Sequence, residues 1–193
     1  MDVTQRSAKE KNARAKKMML WFGLASLIMG FAGWTSAYIV SSTREDWIRD
    51  FQLPSAFFLS TLVIIFSSLT YILAQKALRS GSKKQCTRWL ITTLILGIAF
   101  IFIQFVGFSQ LIGQGYYFTG PSSNITMSYI FLIAGVHIAH VVAGLISLLV
   151  VLYNQLRAKY SPDNMLGMEL GATFWHFLDL LWVYLVLFFF FFR

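Results

Sequence analysis

Charged residues and cysteine are both scarce in this sequence of 193 residues. Charged side chains make up 12% of the chain against 57% for hydrophobic ones, a balance that is too apolar for a protein folded in water. The single cysteine, Cys86, excludes a disulfide within the chain and any metal site built from several thiolates. Cys86 falls in a basic stretch between two apolar segments, where we predict a loop and assign the thiol no role. The composition predicts an integral membrane protein.

Five apolar stretches approach or exceed the roughly 20 residues that a helix needs to cross the hydrocarbon core of a bilayer. They cover residues 18–40, 57–74, 89–106, 128–153 and 172–192. Little of the chain remains outside them, so no soluble domain is expected. We predict an all-α polytopic membrane bundle of five transmembrane helices. Residues 1–17 would form a basic cytoplasmic N-terminal segment, and residues 18–193 would form the transmembrane domain.

The distribution of lysine and arginine predicts the orientation of the chain, because basic residues beside membrane spans are retained on the cytoplasmic side. Thirteen of the sixteen lie on one side of the predicted membrane. They are Arg6, Lys9, Lys11, Arg14, Lys16, Lys17, Lys76, Arg79, Lys83, Lys84, Arg88, Arg157 and Lys159. We therefore predict an N-terminus inside and a C-terminus outside. Topology and anionic lipid headgroups account for the net charge of +8, so no nucleic-acid partner is predicted.

Small residues recur every three or four positions on the first two spans, a spacing that lets membrane helices pack closely. The first span carries Gly23, Ser26, Gly30, Gly33 and Ala37, and the second carries Ser60, Val63, Ser67, Thr70 and Ala74. These faces would pack within the bundle or against another subunit. The run of phenylalanines at 188–192 is predicted instead to contact lipid near the outer interface.

All three histidines, and the only acidic residue inside an apolar span, lie in the last two spans. His137 and His140 share one face of the fourth span, while His176 and Asp179 lie on the fifth and Glu169 just precedes it. An ionisable group inside a bilayer persists only when it is paired or functional. The short connection predicts that these two helices are antiparallel neighbours, which would place His140 and Asp179 near the middle of the membrane.

Four interpretations of this cluster remain open from the residues alone. A haem could take His140 and His176 as ligands, and a metal ion could take His137, His140 and a carboxylate. A proton path could run through Asp179, His176 and Glu169. We favour the fourth, a buried polar network of His137, His140, Glu169, His176 and Asp179 that holds the helices in register, because three histidines are few for a redox site. No catalytic residue and no metal site are predicted.

Three motifs stand out in the last two spans: residues 135–144 (GVHIAHVVAG), residues 167–169 (GME) and residues 175–182 (WHFLDLLW). In order and spacing, these motifs resemble subunit III of the haem-copper respiratory oxidases in its five-helix form. Leu53 and Pro54 before a Ser/Thr-rich helix, and Gln104 in the third span, add to the resemblance. Trp175, Phe177, Trp182 and Gln104 are then expected to be packing residues of the family signature.

The resemblance implies a non-catalytic core subunit in a bacterial inner membrane, because in that family the haems and copper belong to subunits I and II. Such a subunit packs against subunit I, binds phospholipid, and supports proton uptake and the stability of a proton-pumping complex. Two alternatives are an accessory subunit of a nitric oxide reductase and a small proton-conducting or transport protein.

The sequence also departs from the family pattern. The longer members have two more helices before the first span, and they carry a buried glutamate in the helix that matches it. This first span has no acidic residue. Many relatives also have a glutamate and an aromatic residue where Gly107 and Phe108 stand here, so any role tied to those carboxylates does not transfer.

Overall fold

The computed structural model describes residues 8–48, 51–121, 123–162 and 164–192, and five long helices account for most of them. The helices are α1 (Ala8–Ser41), α2 (Ser55–Arg79), α3 (Lys83–Gly113), α4 (Ile125–Leu156) and α5 (Leu166–Phe191). Each contains a segment long and apolar enough to cross a membrane. The described residues contain no strand, only an isolated bridge between Ser161 and Asn164. The predicted all-α bundle of five membrane helices is confirmed.

Four of the helices form a closed ring of contacts, and the fifth lies outside it. In the ring α2 packs most extensively against α3, α3 packs against α4, α4 against α5, and α5 returns to α2. This confirms that α4 and α5 are neighbours. Of the four other helices that the structure describes, α1 packs against α4 and α5 alone, and its buried side chains are Leu24, Phe31, Thr35 and Tyr38.

The two predicted faces of small residues behave differently. On α2, Ser60, Ser67 and Ala74 are buried inside the bundle. On α1, no atom of the described residues lies within 4 Å of the positions where a Cβ would stand at Gly23, Gly30 or Gly33. The small face of α1 therefore does not pack against the described part of the chain, and the larger apolar residues of α1 make its contacts there.

The helices extend beyond the apolar stretches. Helix α1 begins at Ala8, and α3 begins at Lys83, so Cys86 lies in the first turn of α3 rather than in the loop that we predicted. Basic side chains at a helix end reach water while the backbone continues its hydrogen bonding, so hydropathy alone underestimates helix length. Cys86 is on the inward side of that turn and is fully buried.

The phenylalanine run divides between the interior and the surface. Phe188 and Phe189 are buried, and their rings lie 5.3 and 6.1 Å from the ring of Tyr38. Phe191 and Phe192 are exposed. Consecutive helical residues point about 100° apart, so two of the rings reach α1 while the others face outward. The prediction of lipid contact therefore applies to the outward-facing rings and does not extend to Phe188 and Phe189.

Candidate functional site

His137 is fully buried in the middle of α4, among aromatic side chains. Its ring stacks on the indole of Trp182 from α5, with centroids 5.1 Å apart and planes inclined by 25°. The rings of Phe31 and Phe100 approach it edge-on at 6.3 and 6.1 Å. Neither ring nitrogen has a hydrogen-bond partner among the described residues. His137 is therefore held in place by packing against side chains of α1, α3 and α5.

His140 lies one turn further along α4 and is only partly buried. Its Nδ1 is 2.8 Å from the backbone carbonyl oxygen of Val136. A carbonyl oxygen only accepts hydrogen bonds, so Nδ1 of His140 is the donor in this contact. The ring also lies 5.8 Å from that of Phe31. His140 therefore contacts α1 and its own helix.

His176 and Asp179 lie one turn apart near the middle of α5 and face α2. Nδ1 of His176 is 2.6 Å from the hydroxyl oxygen of Ser68. Asp179 is only 4% exposed, and neither of its carboxyl oxygens has a hydrogen-bond partner among the described residues. The Ser68 hydroxyl of α2 also lies beside the Asp179 carboxyl. The hydrogen bond between His176 and Ser68 joins α5 to α2.

Glu169 lies apart from the other four side chains, in the first turn of α5. It accepts a hydrogen bond of 3.1 Å from the Lys17 ammonium group of α1, and both side chains are substantially exposed. Ion pairs this exposed contribute about 0–1 kcal/mol. The Lys17–Glu169 pair therefore fixes the end of α1 against α5 only weakly.

The five predicted network residues thus contact different helices. The α4 histidines contact α1, α3 and Trp182, while His176 and Asp179 reach α2. Among the residues that the structure describes, no three His, Cys, Asp or Glu side chains come together to hold a metal ion. Sequence reasoning did not name Ser68 as the polar partner of His176, although the Ser/Thr-rich composition of α2 was a usable signal.

Trp175 occupies the centre of the ring of four helices. Its indole nitrogen donates a hydrogen bond of 2.8 Å to the Ser67 hydroxyl of α2. A Cβ placed on Gly97 of α3 would lie 2.7 Å from the indole, and one on Gly144 of α4 would lie 3.2 Å from it. The absence of side chains at these two glycines therefore lets a single α5 tryptophan contact three other helices.

A second buried hydrogen bond joins α3 to α2. The Gln104 amide nitrogen donates to the Ser60 hydroxyl oxygen at 2.7 Å, and the Ser60 hydroxyl donates in turn to the carbonyl oxygen of Phe57. Gln104, Trp175 and Trp182 are all buried, which places three of the four predicted packing residues in the core.

The fourth of these residues, Phe177, is only partly buried and lines a cleft between α1 and α5. The cleft has a volume of about 540 Å³. Apolar side chains make up nearly all of its wall, and they include Ile28, Phe31, Ala32, Phe177, Leu180 and Leu187. Across it, the Tyr184 hydroxyl donates to the Thr35 hydroxyl at 3.3 Å. The cleft is open at the surface of the bundle, and its apolar wall suits an apolar chain.

Residues 18–193 match the family described as Cytochrome c oxidase subunit III. Cytochrome bo(3) ubiquinol oxidase subunit 3 of Pseudomonas aeruginosa is 36% identical over 133 residues, which are 69% of this chain and 62% of that relative. Cytochrome c oxidase subunit 3 of Papio hamadryas is 33% identical over 130 residues, 66% of this chain and 46% of the relative. The matched region therefore spans about half to three-fifths of the length of these curated relatives.

Proposed function

Because the chain belongs to the cytochrome c oxidase subunit III family, we propose that it is a non-catalytic accessory subunit of a proton-pumping haem-copper terminal oxidase. The observation that carries this proposal is the family match, which includes all five membrane spans. The relatives are named as oxidase subunits, so they do not favour a nitric oxide reductase or an independent proton-conducting protein.

In this proposal subunits I and II hold the haems and copper, and this chain supports them by packing against subunit I. The buried contacts favour a structural role. Trp175, Gln104 and His176 each join α2 to another helix through a hydrogen bond. His137 meanwhile stacks against Trp182. A bundle fastened in this way would present a stable surface to its partners and sustain the lifetime and proton uptake of the complex.

Purification from its own membranes tests the assignment. The chain is extracted in mild detergent and captured by a tag, and the co-purifying proteins are identified by mass spectrometry alongside a visible absorption spectrum. We expect oxidase subunits I and II with haem bands. A colourless chain that purifies alone would contradict the proposal. Oxygen consumption with a quinol and with reduced cytochrome c then identifies the electron donor, since both oxidase types occur among the relatives.

We further propose that the N-terminus faces the cytoplasm, that residues 1–17 form a basic segment there, and that the protein resides in a bacterial inner membrane. Residues 1–7 lie outside the described part of the chain. The ends of α2 and α5 that would face inward carry Lys76, Arg79 and Glu169, and Lys17 of α1 pairs with Glu169 at the same end.

Labelling with a membrane-impermeant maleimide checks this orientation. In intact cells Thr119→Cys should react, whereas Ser80→Cys should react only after lysis, because the two exposed positions lie at opposite ends of the bundle. Native Cys86 is fully buried and provides the unreactive background. The reverse pattern of labelling would show that the topology is opposite to the one proposed.

The cleft between α1 and α5 is proposed to hold a phospholipid acyl chain. Its wall runs from Ile28 and Phe177 to Leu187, that is, from the middle of the helices toward the end of α5. A polar ligand would find few hydrogen-bond partners there. An acyl chain would exchange its contacts with other lipid tails for equivalent apolar contacts with the protein. In the proposed orientation, the chain would come from an outer-leaflet lipid.

Filling the cleft tests this assignment. Ala32→Phe should lower the number of phospholipids retained per purified complex by about one, because the new ring occupies the space between α1 and α5. The matched control is Ala143→Phe on the exposed side of α4, which should retain the wild-type number. Phospholipid is counted by phosphate analysis and native mass spectrometry. Equal retention in both variants would place the bound lipid elsewhere.

A further inference from the structure

Three buried polar atoms lie within one turn of α5 without a protein partner among the described residues. They are Nε2 of His176 and both carboxyl oxygens of Asp179. Residues three apart on a helix are neighbours, so the two side chains lie on one face of α5, and the Ser68 hydroxyl of α2 contacts the other ring nitrogen of His176, Nδ1. Buried polar groups in proteins nearly always have a hydrogen-bond partner, either protein or ordered water.

An ionised carboxylate would be poorly accommodated at this position. In an apolar interior it requires a cation or several hydrogen-bond donors. Among the described residues, no basic side chain lies within hydrogen-bond distance of either Asp179 oxygen. The Ser68 hydroxyl of α2 lies beside the carboxyl, and the His176 ring and the Trp182 indole lie one turn away on either side along α5. A protonated carboxyl suits this setting better, because it has one donor and keeps its acceptor capacity.

We propose that Ser68, His176 and Asp179 form a site in the middle of the membrane that binds ordered water and holds an exchangeable proton on Asp179. A buried water makes about three hydrogen bonds, and one molecule between the two α5 side chains would reach Nε2 of His176 and the Asp179 carboxyl. Exchange passes one proton from the carboxyl to water and returns another, so the site stays neutral.

This site goes beyond the proposed accessory role and does not depend on it. Packing alone requires only that the side chains be fixed, whereas a hydrated carboxyl can store or relay a proton. The measurement below needs only the membrane-embedded chain with whatever co-purifies, and the co-purifying subunits are identified separately. Failure of the oxidase assignment would therefore leave this result interpretable.

Infrared difference spectroscopy in H₂O and D₂O tests the proposal on the purified complex. We expect a carbonyl band of a protonated carboxylic acid that shifts to lower frequency in D₂O. The band should be lost in Asp179→Asn, which preserves the shape of the side chain. It should remain but move to higher frequency in Ser68→Ala, because a hydroxyl that polarises the site is removed. Labelling with ¹³C-aspartate shows whether the wild-type band belongs to an aspartic acid, and its loss in Asp179→Asn assigns it to this position.

Asp46→Asn is the matched control. Asp46 is exposed, and its hydrogen bond from the Arg44 guanidinium holds the pKa of the carboxyl below its usual range, so it is ionised near neutrality. Its replacement should leave the carboxylic acid region unchanged. The absence of a band assigned to Asp179 would mean an ionised carboxylate, and a band that D₂O does not shift would mean a dry site. Either result, or an unshifted band in Ser68→Ala, would overturn the proposal.

Discussion

Replacing Trp175 with alanine is expected to destabilise the bundle by about 3–5 kcal/mol, the cost typical of removing a fully buried tryptophan. The indole contacts α3 and α4 at Gly97 and Gly144 and bonds to Ser67 of α2. Its removal leaves a cavity where four helices meet and deprives Ser67 of its donor. We expect a lower midpoint of thermal unfolding in detergent and a smaller amount of this subunit in the purified complex.

Two other variants separate this effect from a general loss of aromatic surface. Trp21→Ala removes an indole that is 64% exposed on α1, and we expect a change within about 0.5 kcal/mol because surface substitutions are usually that mild. Trp175→Phe keeps much of the ring but loses the bond to Ser67, so it should fall between the two. Equal unfolding midpoints for Trp175→Ala and Trp21→Ala would show that the indole does not join the helices.

The second large effect is expected for Gly144→Leu. A Cβ at this position would lie 2.8 Å from Leu178 and 3.2 Å from Trp175, so the added side chain has no space between α4 and α5. Overpacking of a core typically costs about 1–3 kcal/mol, and occasionally more. We expect α5 to be displaced from α4, with partial loss of the subunit during purification and a lower midpoint of thermal unfolding.

The control for this substitution is Gly135→Leu on the same helix. Nothing lies within 4 Å of a Cβ at Gly135, and leucine has a higher helix propensity than glycine by under about 1 kcal/mol. The control should therefore leave stability unchanged or raise it slightly. If Gly135→Leu proved as damaging as Gly144→Leu, the close approach of α4 and α5 would not explain either result.

The helices themselves were predictable because lipid offers no hydrogen bonds to the backbone, so a long apolar stretch must become a helix. The faces of the helices were harder to predict. In a soluble protein the buried face is the apolar one, but here both the interior and the lipid-facing surface are apolar. The open small face of α1 and the burial of Phe188 and Phe189 are examples. Neither is decided by hydropathy.

The candidate site, like the fold, was only partly predictable from the sequence. The sequence identified His176 and Asp179 as notable, because an ionisable group inside a span is costly whichever direction the helix face points. It did not identify Ser68, which lies 108 residues before His176 and is one of several similar hydroxyls on α2. The choice among those hydroxyls depends on the rotation and height of α2 against α5.

By itself, then, the sequence determined the membrane location, the five helices, the family and the residues whose polarity requires a partner. Each of these follows from local composition or spacing, because the transfer of a segment from water to lipid depends on its own side chains. The tertiary structure alone decided that Trp175 lies against Gly97 and Gly144, that His137 stacks on Trp182, and that Asp179 faces Ser68. These pairings depend on how closely whole helices approach one another, and that distance is set by packing over their full length.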